Sequence, residues 1–230
     1  MTYREALEEG RAYLEARKVP EPDTDAWYLL EHVCGLDRTA YLLCRNRQMD
    51  GKSYTRYQSV LMERGKRIPL QHITGEQEFM GLSFRVNSQV LIPRQDTEIL
   101  VETALKKAAP GMRVLDLCTG SGCIIISLVK LCPGILGTAS DLSPEALAVA
   151  RENAERLDAK VRFIESDLFE RIYGSFDLIV SNPPYIPTGT IGRLMEEVRF
   201  HDPLQALDGH GYGLHFYRKI VEESDLYLKQ

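Results

Sequence analysis

Asn182, Pro183, Pro184 and Tyr185 close an apolar or β-prone stretch that runs from Phe176 to Ser181. An asparagine side chain offers one acceptor and two donors. The two prolines carry no N–H, so their carbonyls can face a ligand, and their fixed φ makes the corner stiff. Tyr185 adds a flat face for a planar group. Such a corner suits a planar group that carries an NH2. The Asn182 oxygen and the Pro183 carbonyl would each accept one N–H, leaving the nitrogen lone pair aimed at an electrophile. An amide nitrogen is a poor nucleophile because its lone pair is delocalised. Two acceptors on its hydrogens push density back to nitrogen as charge develops. This is catalysis by positioning and electrostatics, with no strong base. A plain polar turn closing a strand would use similar residues.

A second group of residues points to a nucleotide. "LDLCTGSGCI" reads as a strand, a small-residue turn and a helix. Gly120 and Gly122 let the backbone pass close to a ligand, and the helix start offers free N–H groups. Cys118, Thr119 and Ser121 complete the turn. Asp141 ends the next predicted strand, about twenty residues further on, where a carboxylate can take both hydroxyls of a ribose. In "ESDLF", Asp167 can accept from an adenine amino group and Leu168 can cover the ring; helix capping is the plainer use of Asp167. With Asp116, three successive predicted strands end in a carboxylate. A dinucleotide site prefers a third glycine, but Ile125 stands there, so the spacing suits adenosine without a diphosphate. That disfavours an NAD-dependent oxidoreductase. Tight packing in an α/β protein would also ask for such glycines.

These residues need a scaffold. From Arg113 onward the strands "RVLDL", "ILGTASDL", "VRFIESD" and "FDLIVSN" alternate with the helices "GCIIISLVKLC" and "SPEALAVARENAERL". That alternation predicts an α/β fold with a parallel sheet. The fourth strand lies beside the first, which sets the Asn182 corner next to the glycine turn. Residues 1–70 read as a small all-helical bundle of four helices, the second starting at a capping Asp or Thr in "DTDAWYLLEHVCG". Residues 71–95 read as a linker with a β-hairpin around Met80-Gly81. Residues 96–230 form the nucleotide-binding domain. "RFHDPLQALDGHGYG" reads as a mobile loop after the corner.

Composition sets outer bounds. The chain has 230 residues, 44% apolar and 27% charged, with a net charge of −5. No apolar run reaches the roughly 18 residues of a membrane helix. The charged N-terminus has no signal-peptide core, so a cytoplasmic location is expected. Five cysteines without a CxxC pair read as reduced thiols, and five scattered histidines give no metal site. Between Arg38 and Arg67, eight basic residues face two acidic ones. That stretch is either a solvated helix surface or a face for an acidic or RNA-bearing partner. Residues 71–230 carry 16 basic and 22 acidic side chains, which argues against a nucleic-acid substrate.

The motifs together carry a resemblance. "PLQHITGEQEFMGLSFRV", "VLIPRQDTEILVE", "VLDLCTGSGCIIISL", "SDLSPEALAVARENA", "IVSNPPYIP" and "GLHFYRKIVEE" span nearly all of residues 69–222. The chain resembles class I S-adenosylmethionine-dependent methyltransferases acting on planar nitrogens. More closely, it resembles the release-factor glutamine N5-methyltransferases, the HemK or PrmC family. The resemblance implies a Rossmann-like methyltransferase sheet with S-adenosylmethionine as cofactor. Cys118, Thr119, Gly120, Ser121 and Gly122 would line its methionine part, with Asn182 close by. Asp141 would hold the ribose; Asp167 and Leu168 would meet the adenine. Asn182, Pro183, Pro184 and Tyr185 would hold the glutamine amide of a release factor's GGQ tripeptide, with Asn182, Pro183 and Tyr185 as the catalytic set. The helical domain would dock the release factor.

Three departures from the family pattern stand out. Cys118 replaces the usual Gly, and Gln95 replaces the usual Pro. The family's sheet has seven strands where four are counted here, so the sheet is expected to be C-terminally truncated, with an uncovered edge on the fourth strand. Rival readings are a ribosomal-protein glutamine N5-methyltransferase, an adenine N6 DNA or RNA methyltransferase, and a donor-binding adaptor without catalysis.

Overall fold

The computed structural model describes residues 1–229. The chain divides into two units, one of residues 1–74 and one beginning at Gly75. Among the described residues, no helix is long and apolar enough to cross a membrane.

The first unit holds α1 (Tyr3–Ala16), α2 (Pro22–Cys34), α3 (Arg38–Cys44), α4 (Gly51–Gly65) and α5 (Leu70–Thr74). A reciprocal box starts α1: Thr2 Oγ1 accepts from the Glu5 N–H at 3.2 Å, and the Glu5 carboxylate accepts from the Thr2 N–H at 2.8 Å. Ala6, Gly10 and Leu14 form its buried face. A side chain at Gly10 would strike the ring of Tyr57, so the glycine lets α1 and α4 approach closely. Tyr57 is fully buried and donates to the Ala26 carbonyl at 2.9 Å, within a core of Trp27, Leu29, Leu30 and Leu61. The expected capping Asp or Thr of α2 is corrected. Pro22 opens the helix, Glu21 precedes it without a side-chain cap, and Asp25 pairs with Arg64 at 2.6 Å in the interior. The basic stretch is accordingly less free than its sequence suggests. Arg64 is buried, Arg38 lies 4.0 Å over the Trp27 ring, and Arg67 donates to the Lys18 carbonyl. The one-turn helix α5 is not legible in the sequence; it straddles the boundary between the residues read as helical domain, ending at 70, and those read as linker, starting at 71.

In the second unit, β1 (Glu76–Phe79) and β2 (Leu82–Arg85) pair antiparallel. Met80 and Gly81 both have positive φ, 52° and 71°, as a two-residue hairpin turn of the right twist requires. The hairpin is followed by α6 (Gln95–Leu105), β3 (Arg113–Leu117), α7 (Cys123–Leu131), β4 (Leu136–Asp141), α8 (Pro144–Arg156), β5 (Val161–Glu165) and β6 (Leu178–Ser181). The last four helices are α9 (Thr188–Ile191), α10 (Glu196–His201), α11 (Leu204–Leu207) and α12 (His215–Ser224).

The sheet order is β5-β4-β3-β6, parallel throughout. Period-two alternation gives β3 two buried faces. Val114 joins a core with Ile124, Ile125, Ile126 and Leu128 of α7 and with Phe79 and Phe84 of the hairpin. Leu115 and Leu117 face the other way, against Phe169, Ile172 and Phe176, with Phe216 and Ile220 of α12 behind them. The α/β class and the Rossmann-like sheet with its helical N-terminal unit are therefore those of the sequence reading.

Two expectations change. The outer edge beside β6 is not bare at its start. The Phe176 N–H donates to the Tyr227 carbonyl at 2.7 Å, the Lys229 N–H donates to the Phe176 carbonyl at 2.9 Å, and the Lys229 ammonium meets Asp177 at 2.8 Å. The stretch after the corner is not a free loop either. It holds the end of α10 and all of α11, and Ile186 and Asp208 form a parallel bridge back to the corner.

Candidate functional site

The chain winds from β3 through β4 to β5, then returns to place β6 on the other side of β3. Strand order reverses there, and ligands of open parallel sheets bind at the carboxyl ends of the strands at such a point. One cavity lies at that end. From the glycine turn it is lined by Cys118, Thr119, Gly120, Ser121, Cys123 and Ile124. Asp141, Ser143, Ser166, Asp167 and Leu168 form the β4–β5 side, and Asn182 and Pro184 the β6 side. Arg94 and Thr97 of the α6 start line it too, as do Pro203, Gln205 and Ala206.

The turn is built by its own backbone and by two side chains. The Gly120 N–H donates to Asp141 Oδ2 at 2.8 Å, and the Ser143 N–H donates to Asp141 Oδ1 at 3.0 Å. The carboxylate ending β4 thus fixes the turn ending β3 and the start of α8. Burial pushes the Asp141 pKa up, and its backbone N–H partners oppose that rise. From α8, the fully buried Asn153 donates to the Ser121 carbonyl at 2.9 Å and to the Arg85 carbonyl at 3.0 Å. Its oxygen accepts from the Arg85 N–H at 2.6 Å. The two glycines serve different ends. At Gly122 (φ 80°) a Cβ would sit 2.9 Å from Ile126 and 3.2 Å from Ala150, so it permits α7 and α8 to pack. At Gly120 (φ 54°) a Cβ would meet nothing within 4 Å, so open space stands before the turn. Cys118 has φ 57°, a conformation that costs a side-chain-bearing residue about 1–2 kcal/mol. Burial, with the nearby charges of Asp141 and Asp116, pushes its thiol up to about 12.

Asp116 is fully buried and does not line the cavity. It accepts from Thr119 Oγ1 at 2.6 Å and braces the turn from beneath. Asp167 does not end a strand; β5 stops at Glu165, and Asp167 lies two residues beyond. There Ser166 Oγ donates to the Leu168 carbonyl at 3.0 Å and accepts from the Arg171 N–H at 2.9 Å, holding Leu168 at φ 44°.

On the far side, Asn182 Nδ2 donates to Thr97 Oγ1 at 3.4 Å. Pro183 and Tyr185 do not line the cavity, and neither does Gly122. Tyr185 is half exposed, and its backbone is pressed by the returning chain. A Cβ on Gly209 would sit 2.7 Å from Tyr185 Cα, and one on Gly213 would strike the Tyr185 carbonyl. The Gly209 N–H donates to the Ile186 carbonyl at 2.8 Å. Arg94 meets the buried Asp202 at 2.7 Å, which anchors the chain just before Pro203 and α11. Thr97, Arg94, Gln205 and Ala206 went unassigned in the sequence, although "IPRQDTE" and "DPLQAL" mark the segments that carry them. Among the described residues, no three His, Cys, Asp or Glu side chains gather as a metal site.

A glycine turn on the central strand, a carboxylate ending its neighbour and an asparagine-proline corner on the other side define a class I methyltransferase. Comparison with known proteins narrows this. Residues 5–75 match the PrmC N-terminal domain, and residues 94–211 match the methyltransferase small domain. The chain is 43% identical to the release factor glutamine methyltransferase of Geobacter sulfurreducens, over 99% of its own length and 80% of that relative. It is 42% identical to that of Deinococcus radiodurans, over 97% and 81%. A solved methyltransferase from Pyrococcus furiosus is 23% identical over 65% of each chain, with a TM-score of 0.47. The chain belongs to the release factor glutamine methyltransferase family.

The residues present fit a donor of the S-adenosylmethionine type. Open space stands before Gly120, and the half-buried Asp141 carboxylate keeps lone pairs beside its two backbone donors. Leu168 and the Asp167 side chain border the same cavity.

Proposed function

We propose that this chain transfers a methyl group to the side-chain amide N5 of the glutamine in a release factor's GGQ tripeptide. The observation that carries this is the meeting of two groups in one cavity. Asn182 and Pro184, at the end of β6, face the glycine turn and Asp141 at the ends of β3 and β4. S-adenosylmethionine, when bound, supplies an electrophilic methyl group on a sulfonium. The Cys118–Ser121 turn holds the methionine part, Asp141 the ribose hydroxyls, and Asp167 with Leu168 the adenine. The Asn182 oxygen and the Pro183 carbonyl accept the two amide hydrogens of the glutamine and orient its nitrogen toward that methyl. As the nitrogen–methyl bond forms and the methyl's bond to sulfur breaks, positive charge grows on the nitrogen; these fixed dipoles stabilise it, and its excess proton leaves to solvent. Tyr185 lies outside the cavity lining and half exposed, where it would meet the amide plane from the solvent side. No side chain placed here acts as a strong base, and the acidic balance of residues 71–230 disfavours a base-flipping role on DNA or RNA.

The test is a methyl-labelling assay with release factor, the ribosomal-protein substrate of the related glutamine methyltransferases and adenine-containing DNA in separate reactions. Label confined to the GGQ glutamine is the expected outcome. Label on DNA alone, or on the ribosomal protein alone, overturns the reading.

A further inference from the structure

Asn182 is useful to an acceptor amide in one orientation only. A half-turn about its last side-chain bond exchanges Oδ1 with Nδ2. In the wrong orientation its NH2 would face the NH2 of the acceptor, donor against donor, and the nitrogen would lose its acceptor. A partner must hold the side chain in the useful one. The chain neighbours of Asn182 cannot, because Pro183 and Pro184 have no N–H to donate to its oxygen.

Asn182 makes one side-chain hydrogen bond among the described residues, from Nδ2 to Thr97 Oγ1 at 3.4 Å. Thr97 comes from the first turn of α6, 85 residues away in sequence, and lines the same cavity. Its own position is fixed: its N–H donates to the Arg94 carbonyl at 2.9 Å, and the Arg94 guanidinium is held by Asp202 at 2.7 Å. The α6 start is therefore tied to the corner itself at Asn182 and to the chain beyond it at Asp202.

We propose that Thr97 is a positioning residue for the transfer, resting on the function proposed above. Its hydroxyl oxygen accepts from the Asn182 NH2 and holds the side chain with its oxygen left free for the acceptor amide. Thr97 touches no reacting atom in this role. It holds the Asn182 carboxamide in place while the acceptor amide is bound.

The experiment compares wild type, Thr97→Val and Thr97→Ser. Valine keeps the shape and loses the hydroxyl; serine keeps the hydroxyl. In Thr97→Val, kcat for methylation of release factor falls about tenfold, the effect of losing one hydrogen bond that favours one orientation. KM for the release factor and the dissociation constant for S-adenosylhomocysteine stay at the wild-type values, and Thr97→Ser keeps the wild-type kcat. A Thr97→Val enzyme with wild-type kcat overturns the proposal, as does a Thr97→Ser enzyme as slow as the valine variant. A second readout needs no turnover. The Asn182 side-chain NH2 signals in a nitrogen-correlated NMR spectrum are assigned by their loss in Asn182→Ala. They shift or broaden in Thr97→Val and stay in place in Thr97→Ser. Unmoved signals in Thr97→Val overturn the proposal even if wild type labels no release factor, a failure that belongs to the proposed function alone.

Discussion

Asp116→Asn should alter how stability depends on pH. Asp116 is fully buried; one oxygen accepts from Thr119 and the other has no partner among the described residues. Burial pushes its pKa from 3.8 up to about 7; the Thr119 hydroxyl restrains the rise and the Asp141 charge adds to it. In the unfolded chain the carboxyl ionises near 3.8. Between the two values the folded form keeps a proton that the unfolded form has lost, so stability falls as pH rises. This is the reverse of a salt-bridged carboxylate. The penalty is absent below the unfolded value and complete above the folded one. At about 1.4 kcal/mol per pH unit the full span corresponds to about 4 kcal/mol, and roughly half of it falls between pH 5 and pH 7. Asparagine keeps the shape but cannot ionise. Its NH2 lacks an obvious acceptor, a cost of about 1–3 kcal/mol that does not vary with pH. Urea unfolding of both proteins across pH 4 to 8 should therefore show wild type ahead at acid pH and the difference shrinking or reversing near pH 8. Parallel curves across that range would refute the reasoning.

Other substitutions probe the rest of the site. Asn182→Ala should cut methyl transfer to release factor about 100- to 1000-fold while leaving S-adenosylhomocysteine binding nearly unchanged by calorimetry; retained turnover would exclude the amide-holding role. Asp141→Asn leaves one acceptor where Gly120 and Ser143 donate and where the proposed function adds a ribose, so affinity for S-adenosylhomocysteine should fall about 10- to 100-fold. Because burial raises the Asp141 pKa, wild-type affinity should also weaken as the pH is lowered, and this acid-side loss should be absent in the asparagine variant. Gly209→Ala drives a methyl group into the backbone of Tyr185 and should lower stability by about 1–3 kcal/mol in thermal melts, with transfer impaired. An unchanged melting point would show that the returning chain moves aside freely.

Much of this was readable from local signals. The apolar run of β3 and the alternation of strands with helices gave the parallel sheet because both patterns are local in sequence. Asp141 could be placed because a βα unit has a nearly fixed length between its glycine turn and the end of the next strand. The offsets came where long-range partners decide. Nothing local shows that Asp116 points under α7 without reaching the cavity, since only the strand's phase against its neighbours sets that. Nor does anything local show that Asp202 is buried against Arg94, 108 residues earlier, which is why "RFHDPLQALDGHGYG" read as a mobile loop. Arg64 looked like one more surface charge because its partner Asp25 lies 39 residues away. Gly122 looked like a ligand-facing residue, but Ala150 on α8 is what it makes room for.

The carboxamide of Asn153 satisfies backbone groups of both Arg85 and Ser121. Neither segment can open without leaving part of the Asn153 carboxamide unpaired in the interior. The opening of the hairpin end and of the glycine turn therefore each cost Asn153 a partner, and their amides should be protected from solvent exchange together. A strand pair outside the parallel ladder thus braces, through one side chain, a turn that lines the cavity.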